Sequence, residues 1–320
     1  MELQTKIPLS KQLHSPIDYK SKILLLGSCF TESIGSKLDY FMFQNIINPF
    51  GILFHPKAIE RLIANAINEK EYTAVDVFYQ NEQWHCFDAH SKLSNFSKET
   101  LLVDLNDAIK STKQRINNSS HIIITLGTSW TYRHIESDAI VANCHKVPQK
   151  QFLKELLCVD EIANSLQAIV ALIKQENPLA SIIFTVSPVR HIKDGFVENT
   201  LSKANLISGI HKVIEERDKI FYFPSYEIMM DELRDYRFYA EDMIHPDSTA
   251  INYIWEAFNK VWLSIDALEV MLNVDVVQKG LNHRPFNSNS DLHKSFLKNL
   301  KKKQEQLSAQ YPPIIFKRLN

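Results

Sequence analysis

Lys22-Ile23-Leu24-Leu25-Leu26-Gly27-Ser28-Cys29-Phe30-Thr31-Glu32-Ser33 reads as an apolar run, a glycine, a serine and the opening of a helix. A short Ile/Leu run bounded by polar residues is the signature of a strand buried on both faces, as in a parallel sheet. Gly27 supplies the tight turn that swings the chain into the following helix. Ser28 therefore stands at the carboxyl end of a strand. In open α/β sheets that edge binds ligands, and a helix that starts there turns unpaired backbone N–H groups towards a developing negative charge. A serine in this place also serves as an ordinary helix cap, so the stretch alone leaves both roles open.

The same theme recurs along the chain. Ile34, Leu38 and Phe41 lie at helical spacing after Ser28, and Gln44-Asn45-Ile46-Ile47 reads as a second strand running into the turn Asn48-Pro49-Phe50-Gly51. A helix from about Pro56 to Glu69 follows, then a hairpin between Val75 and Phe87 centred on Gln80-Asn81-Glu82, then a helix over 99–116. His121 to Leu126 is another buried strand, ending in Gly127-Thr128-Ser129-Trp130. Ile140 to Pro148 is a short strand-like run, and a long helix is expected over 149–176. Ser181 to Val186 gives way to Ser187-Pro188-Val189-Arg190-His191, a helix is expected over 199–217, and Lys219 to Pro224 is the last core strand. Ala240 to Ser248 reads as a loop, Ile251 to Leu263 as a helix, and 265–320 as a mainly helical extension packed on the domain formed by 1–264. Strand and helix alternating four or five times predict an α/β fold, a mainly parallel sheet with helices on both faces.

Composition narrows the function. The chain has 320 residues, 45% hydrophobic and 23% charged, enough for one large α/β domain with additions. With 36 basic against 37 acidic residues the net charge is -1, so no global field draws it to nucleic acid or to an anionic membrane. Lys294, Lys298, Lys301, Lys302 and Lys303 read as a solvated helix face. The N-terminus carries no apolar core of the signal-peptide kind and no stretch has the length of a membrane span, so the chain reads as cytoplasmic. Cys29, Cys86, Cys144 and Cys158 are scattered, which suits reduced thiols, and His85 and His90 near Cys86 lack the company of a metal site. No cofactor or metal is expected.

Chemistry enters with Asp242-x-x-His245. A serine hydroxyl needs an imidazole to take its proton, and that imidazole needs a carboxylate to hold its tautomer. A separation of three lets one loop supply both partners, provided it lies over the carboxyl end of the sheet. Asp242 or Asp247 as a simple cap, with His245 on the surface, is the plainer alternative. His145, Arg190 and His191 sit on loops of the same predicted edge and suit a substrate carboxylate or hydroxyl, or equally the loop's own carbonyls. Trp130 and Tyr132 suit an apolar or sugar-stacking wall, or core packing.

Taken together, the strand-Gly-Ser-helix opening, the second block at Gly51, the third at Gly127-Thr128-Ser129 and the late D-x-x-H resemble the SGNH/GDSL hydrolase superfamily. Gly27-Ser28-Cys29-Phe30 with Asn48-Pro49-Phe50-Gly51, Asn143-Cys144-His145-Lys146 and Ser187-Pro188-Val189-Arg190-His191 resembles, within it, the GSCFA-domain family. The resemblance covers most of 20–262. It implies a three-layer α/β/α fold of flavodoxin-like topology in which Ser28 is the nucleophile, His245 the base and Asp242 its orienting acid. The implied activity is a serine esterase that cleaves a small acyl group, such as acetyl, from a carbohydrate or similar polar metabolite. An acyltransferase with the same nucleophile and a non-catalytic binding protein are the alternatives. The Ser28 and Gly51 N–H groups match two of the superfamily's oxyanion donors. The asparagine of the third block is missing, which leaves Thr128, Ser129 or Asn143 to replace it, and Asn48 is assigned to substrate binding. Cys29 at the helix N-terminus is a chemically reasonable rival nucleophile. Ser28 is preferred on the expectation that it faces the cleft while Cys29 packs beneath the helix.

Overall fold

The computed structural model describes residues 4–316. From the N-terminus the elements are β1 (Lys22–Gly27), α1 (Cys29–Tyr40), β2 (Gln44–Ile47), α2 (Pro56–Ile67), β3 (Phe78–Gln80), β4 (Gln83–His85) and α3 (Lys98–Asn118). There follow β5 (His121–Leu126), β6 (Trp130–His134), β7 (Ala139–Val141), β8 (Phe152–Leu156), α4 (Val159–Glu176), β9 (Ser181–Val186), α5 (Phe196–His211) and β10 (Ile220–Phe223). The chain closes with a short α6 (Ser225–Glu227) that runs into a π-helical turn, then α7 (Ser248–Trp262), α8 (Ile265–Asn282) and α9 (Asp291–Gln310).

Five strands form a parallel sheet in the order β10-β9-β5-β1-β2. Their residues alternate between two cores. Leu24, Leu26, Ile122, Ile124, Ile182 and Phe184 face α2 to α5, while Ile23, Leu25, Ile123, Ile183 and Phe221 face α1, α7 and the C-terminal helices. The α/β class expected from the sequence is the one observed. Leu300, Leu307 and Ile314 join the second core, and Tyr40 Oη donates to Asp275 at 2.9 Å, so α8 and α9 pack on the α1 face. Numbered within the sheet, the strand order is 2-1-3-4-5. Order reverses between β1 and β5, and the crevice outside their carboxyl ends is the ligand position of such folds.

Two expectations are corrected and a third is met. Residues 149–176 are not one helix: Phe152–Leu156 is β8, paired antiparallel to β6 in a second sheet of order β7-β6-β8, and α4 begins only at Val159. The segment follows the ladder that Trp130–His134 offers, and Arg133 clamps Glu155 through Nε at 2.8 Å and Nη2 at 3.1 Å. The helix expected to reach 217 stops at His211, where its buried stripe runs out, and a turn with Lys219 at φ 59° leads into β10. The hairpin of β3 and β4 is present as expected, with Asn81 and Glu82 both at positive φ, as a tight hairpin turn requires.

Candidate active site

The turn after β1 is held on three sides. Gly27 adopts φ 139°, and a side chain there would land on the Thr125 carbonyl oxygen, so only glycine fits. Its N–H donates to Asn48 Oδ1 at 2.8 Å and its carbonyl accepts from Leu53 N–H at 3.1 Å, while Ser28 N–H donates to the Thr125 carbonyl at 3.0 Å. The first loop is thereby pinned both to the loop after β2 and to β5. Asn48 makes this possible with φ 44°, and its own N–H returns to the Leu25 carbonyl at 2.9 Å.

Asp242 and His245 meet as the spacing requires. Asp242 Oδ2 lies 2.7 Å from His245 Nδ1, and Oδ1 accepts from the N–H groups of Ile244 and His245 at 2.9 and 3.0 Å. A carboxylate only accepts, so Nδ1 carries the proton and Nε2 keeps its lone pair, the tautomer of a general base. The His245 amide, then its ring, then the Ile244 amide hold the Asp242 carboxyl well below its usual range, at about 2. Both side chains are about half exposed, 46% for Asp242 and 48% for His245. The loop closes through Ala240 N–H on the His245 carbonyl at 2.7 Å and is tied to the segment after β9 by Arg190 N–H on the Ile244 carbonyl at 3.2 Å. Ile244 packs on the core that also receives Val189 and Cys29. The acid–base pair therefore belongs to the carboxyl edge, on the α1 side of the sheet.

Beneath that edge lies Lys203, a residue that sequence reasoning missed. It is 1% exposed, and its Nζ donates to the carbonyls of Gly127 at 2.6 Å and Ser187 at 2.7 Å, with the Tyr226 ring 5.7 Å away. No carboxylate pairs with it among the described residues. Burial drives its amine down from the ordinary lysine value to about 7. Asn199, Ser202, Lys203, Leu206 and Ile210 are the buried stripe of α5, so a lysine inside an otherwise core-facing i, i+3, i+4, i+7 row is the signal that could have found it. His191 is close by, pushed to about 3 by burial and then by Lys203 and His245, so it is neutral. Its Nε2 is buried with no hydrogen-bond partner.

The other expected site residues divide. Thr128 and Ser129 are taken by α5: Ser202 Oγ lies 3.0 Å from Thr128 Oγ1 and accepts from Ser129 N–H at 2.8 Å, while the Gly127 and Thr128 amides donate to the Phe54 carbonyl. Neither hydroxyl is free to meet an oxyanion. The Gly51 N–H, at φ 71°, donates to the Asn48 carbonyl at 2.7 Å, so both amides expected to stand free, Ser28 and Gly51, are engaged. Asn143 Oδ1 accepts from His145 N–H at 2.8 Å, and Asn143 lines a cavity of about 320 Å³ with Phe54, Tyr132, Cys144, Lys146 and Lys193. His145 lies away from that space, packed on Phe78 and His85, with Nε2 on the Cys86 carbonyl at 2.7 Å, and burial brings it to about 4. Arg190 stacks over Tyr239, and Lys154 covers the Trp130 ring at 4.3 Å.

At the turn itself the two candidate nucleophiles differ in exposure. Ser28 is 1% exposed, its Oγ is enclosed without a hydrogen-bond partner, and it makes no cap bond to α1. Cys29 is half-buried and packs on the face that Ile244 also covers.

Fold and site together define an α/β protein with an aspartate–histidine pair and a strand–glycine–helix turn at the ligand edge of a parallel sheet. A family model described as the GSCFA family matches residues 22–258, and one described as GSCFA domain protein, C-terminal domain, matches 274–318. The chain belongs to the GSCFA family. No curated protein matches it. Among the described residues no helix is long and apolar enough to cross a membrane.

Proposed function

We propose that the chain is an ester hydrolase working through an acyl-enzyme, with the nucleophile on the Gly27–Cys29 turn and the Asp242–His245 pair as its base. The observation that carries this reading is the pair itself. Its 2.7 Å bond fixes the tautomer that leaves Nε2 free, on a loop tied to the edge where the turn lies. His245 takes the nucleophile's proton, the acyl group moves to the protein, the proton passes to the departing alcohol, and His245 then activates water to release the acid. Two kinds of donor remain for the oxyanion. In the first turn of α1 the Thr31 N–H bonds the Ser28 carbonyl at 2.9 Å, which leaves the amides of Cys29 and Phe30. Asn48 Nδ2 is buried and unpartnered beside Gly27, held through Oδ1, and fills the role of the missing third-block asparagine. The SGNH-type resemblance supports a small acyl group, acetyl above all, on a carbohydrate or other polar metabolite. Transfer to an acceptor hydroxyl in place of water uses the same groups.

The engaged amides of Ser28 and Gly51 favour a second reading, a binding protein that keeps the fold without turnover. Incubation with p-nitrophenyl acetate separates the two. Hydrolysis above buffer that is lost in His245→Ala supports the enzyme, and no hydrolysis by the native chain supports the binding protein.

A further inference from the structure

The Gly27–Cys29 turn offers a hydroxyl and a thiol, and the structure treats them differently. Ser28 Oγ is closed off from solvent and bonded to nothing, on a residue whose N–H is committed to Thr125. Cys29 is half-buried and packs on the core on the α1 side of the sheet, to which Ile244 also contributes. The unbonded amides of Cys29 and Phe30 face its sulfur, so the place where a thiolate would form is lined by donors at a helix N-terminus. At the same turn stand polar atoms with nothing to bind: Ser28 Oγ, and Asn48 Nδ2 on a residue more than nine-tenths buried whose Oδ1 holds Gly27. Lys203 adds a cation without a carboxylate. Unsatisfied donors, a buried cation and a half-open thiol at a topological switch point describe a site waiting for an acyl oxygen, not a packed core.

Resting on the esterase reading above, we propose that Cys29 is the nucleophile and Ser28 a structural residue of the turn. His245 Nε2 accepts the thiol proton as Sγ attacks the ester carbonyl carbon. The tetrahedral adduct collapses with cleavage of the carbon–oxygen bond, and the alcohol leaves with the proton from His245. Water, deprotonated by His245, then attacks the thioester, the carbon–sulfur bond breaks, and the thiolate recovers its proton, so that ester and water give acid and alcohol. Burial raises the thiol above its ordinary value, more than the two amides and Lys203 lower it. The thiol is therefore mostly protonated at rest and depends on the base.

The test uses the full chain as wild type, Ser28→Ala, Cys29→Ala and His245→Ala, each checked for folding by its thermal melt. After acid quench from p-nitrophenyl acetate, mass spectrometry locates the acetyl group. Its presence on Cys29 in wild type and in Ser28→Ala, with release by neutral hydroxylamine as a thioester requires, is the expected result. Acetyl on Ser28, persisting in Cys29→Ala, overturns the proposal and leaves the esterase reading standing. Iodoacetamide gives a readout independent of any ester. Alkylation of Cys29 that slows at least about tenfold in His245→Ala supports the thiol–imidazole pair even where p-nitrophenyl acetate is not turned over, in which case the esterase reading fails alone. Equal alkylation rates in the two chains overturn the pair.

Discussion

Lys203→Met asks what a buried cation does under the ligand edge. Methionine nearly matches the length of the stem but removes the charge and both bonds, leaving the Gly127 and Ser187 carbonyls without a partner. Each orphaned carbonyl costs about 1–3 kcal/mol. Against that stands the cost of the buried charge. The amine titrates at about 7 in the folded chain and near 10.4 when unfolded. Between those values the unfolded chain holds one proton more than the folded one, so stability rises with pH across the interval, by ~1.4 kcal/mol per pH unit. Below about 7 both states carry the proton and the slope vanishes. The full interval amounts to roughly 4–5 kcal/mol, comparable with the two lost bonds. Wild type and variant should thus differ little at pH 7, and wild type should draw ahead as the pH is raised. Guanidinium unfolding of both chains at pH 7, 8, 9 and 10 measures this, since other titrating groups cancel in the difference. A difference that stays flat across the series refutes the account, for it means that Lys203 keeps its proton despite its burial.

Asp242→Asn preserves shape but lets Nδ1 lose its proton to the wrong nitrogen, and turnover of p-nitrophenyl acetate should fall on the order of 10²–10⁴-fold with little change in the thermal melt. The native Asp242 carboxyl, held at about 2, favours the folded state above the unfolded carboxylate range and loses that contribution only as the pH falls through about 2, so the bond to His245 should persist at pH 4 in an NMR titration. Gly27→Ala forces a Cβ onto the Thr125 carbonyl at φ 139°, and a loss of several kcal/mol, about 2–4, should register in chemical denaturation. Ser202→Ala strips the partner from Thr128 and Ser129 and should cost about 1–3 kcal/mol in the same assay.

Much of this was legible in the sequence because the strands are buried on both faces. Leu24 to Leu26, Ile122 to Ile124 and Ile182 to Phe184 admit few readings once each is bounded by polar residues. The Asp242–His245 contact was legible for a local reason, the reach of a three-residue loop. What escaped depended on partners distant in sequence. Phe152–Leu156 is a strand only because Trp130–His134 lies beside it, and the fate of Thr128 and Ser129 was decided by Ser202 on a helix seventy-odd residues later. That Ser28 is enclosed while Cys29 stays half-buried depends on how the turn is pinned by Asn48 and Thr125, which no local pattern encodes. Lys203 hid because a lysine is expected on a solvated face.

Imidazole rescue puts the base assignment to the most direct trial. Turnover of p-nitrophenyl acetate by His245→Ala should fall on the order of 10²–10⁴-fold and recover in part when imidazole is added to the assay. Turnover equal to that of the native chain, with no response to imidazole, would contradict a catalytic edge built on Asp242 and His245.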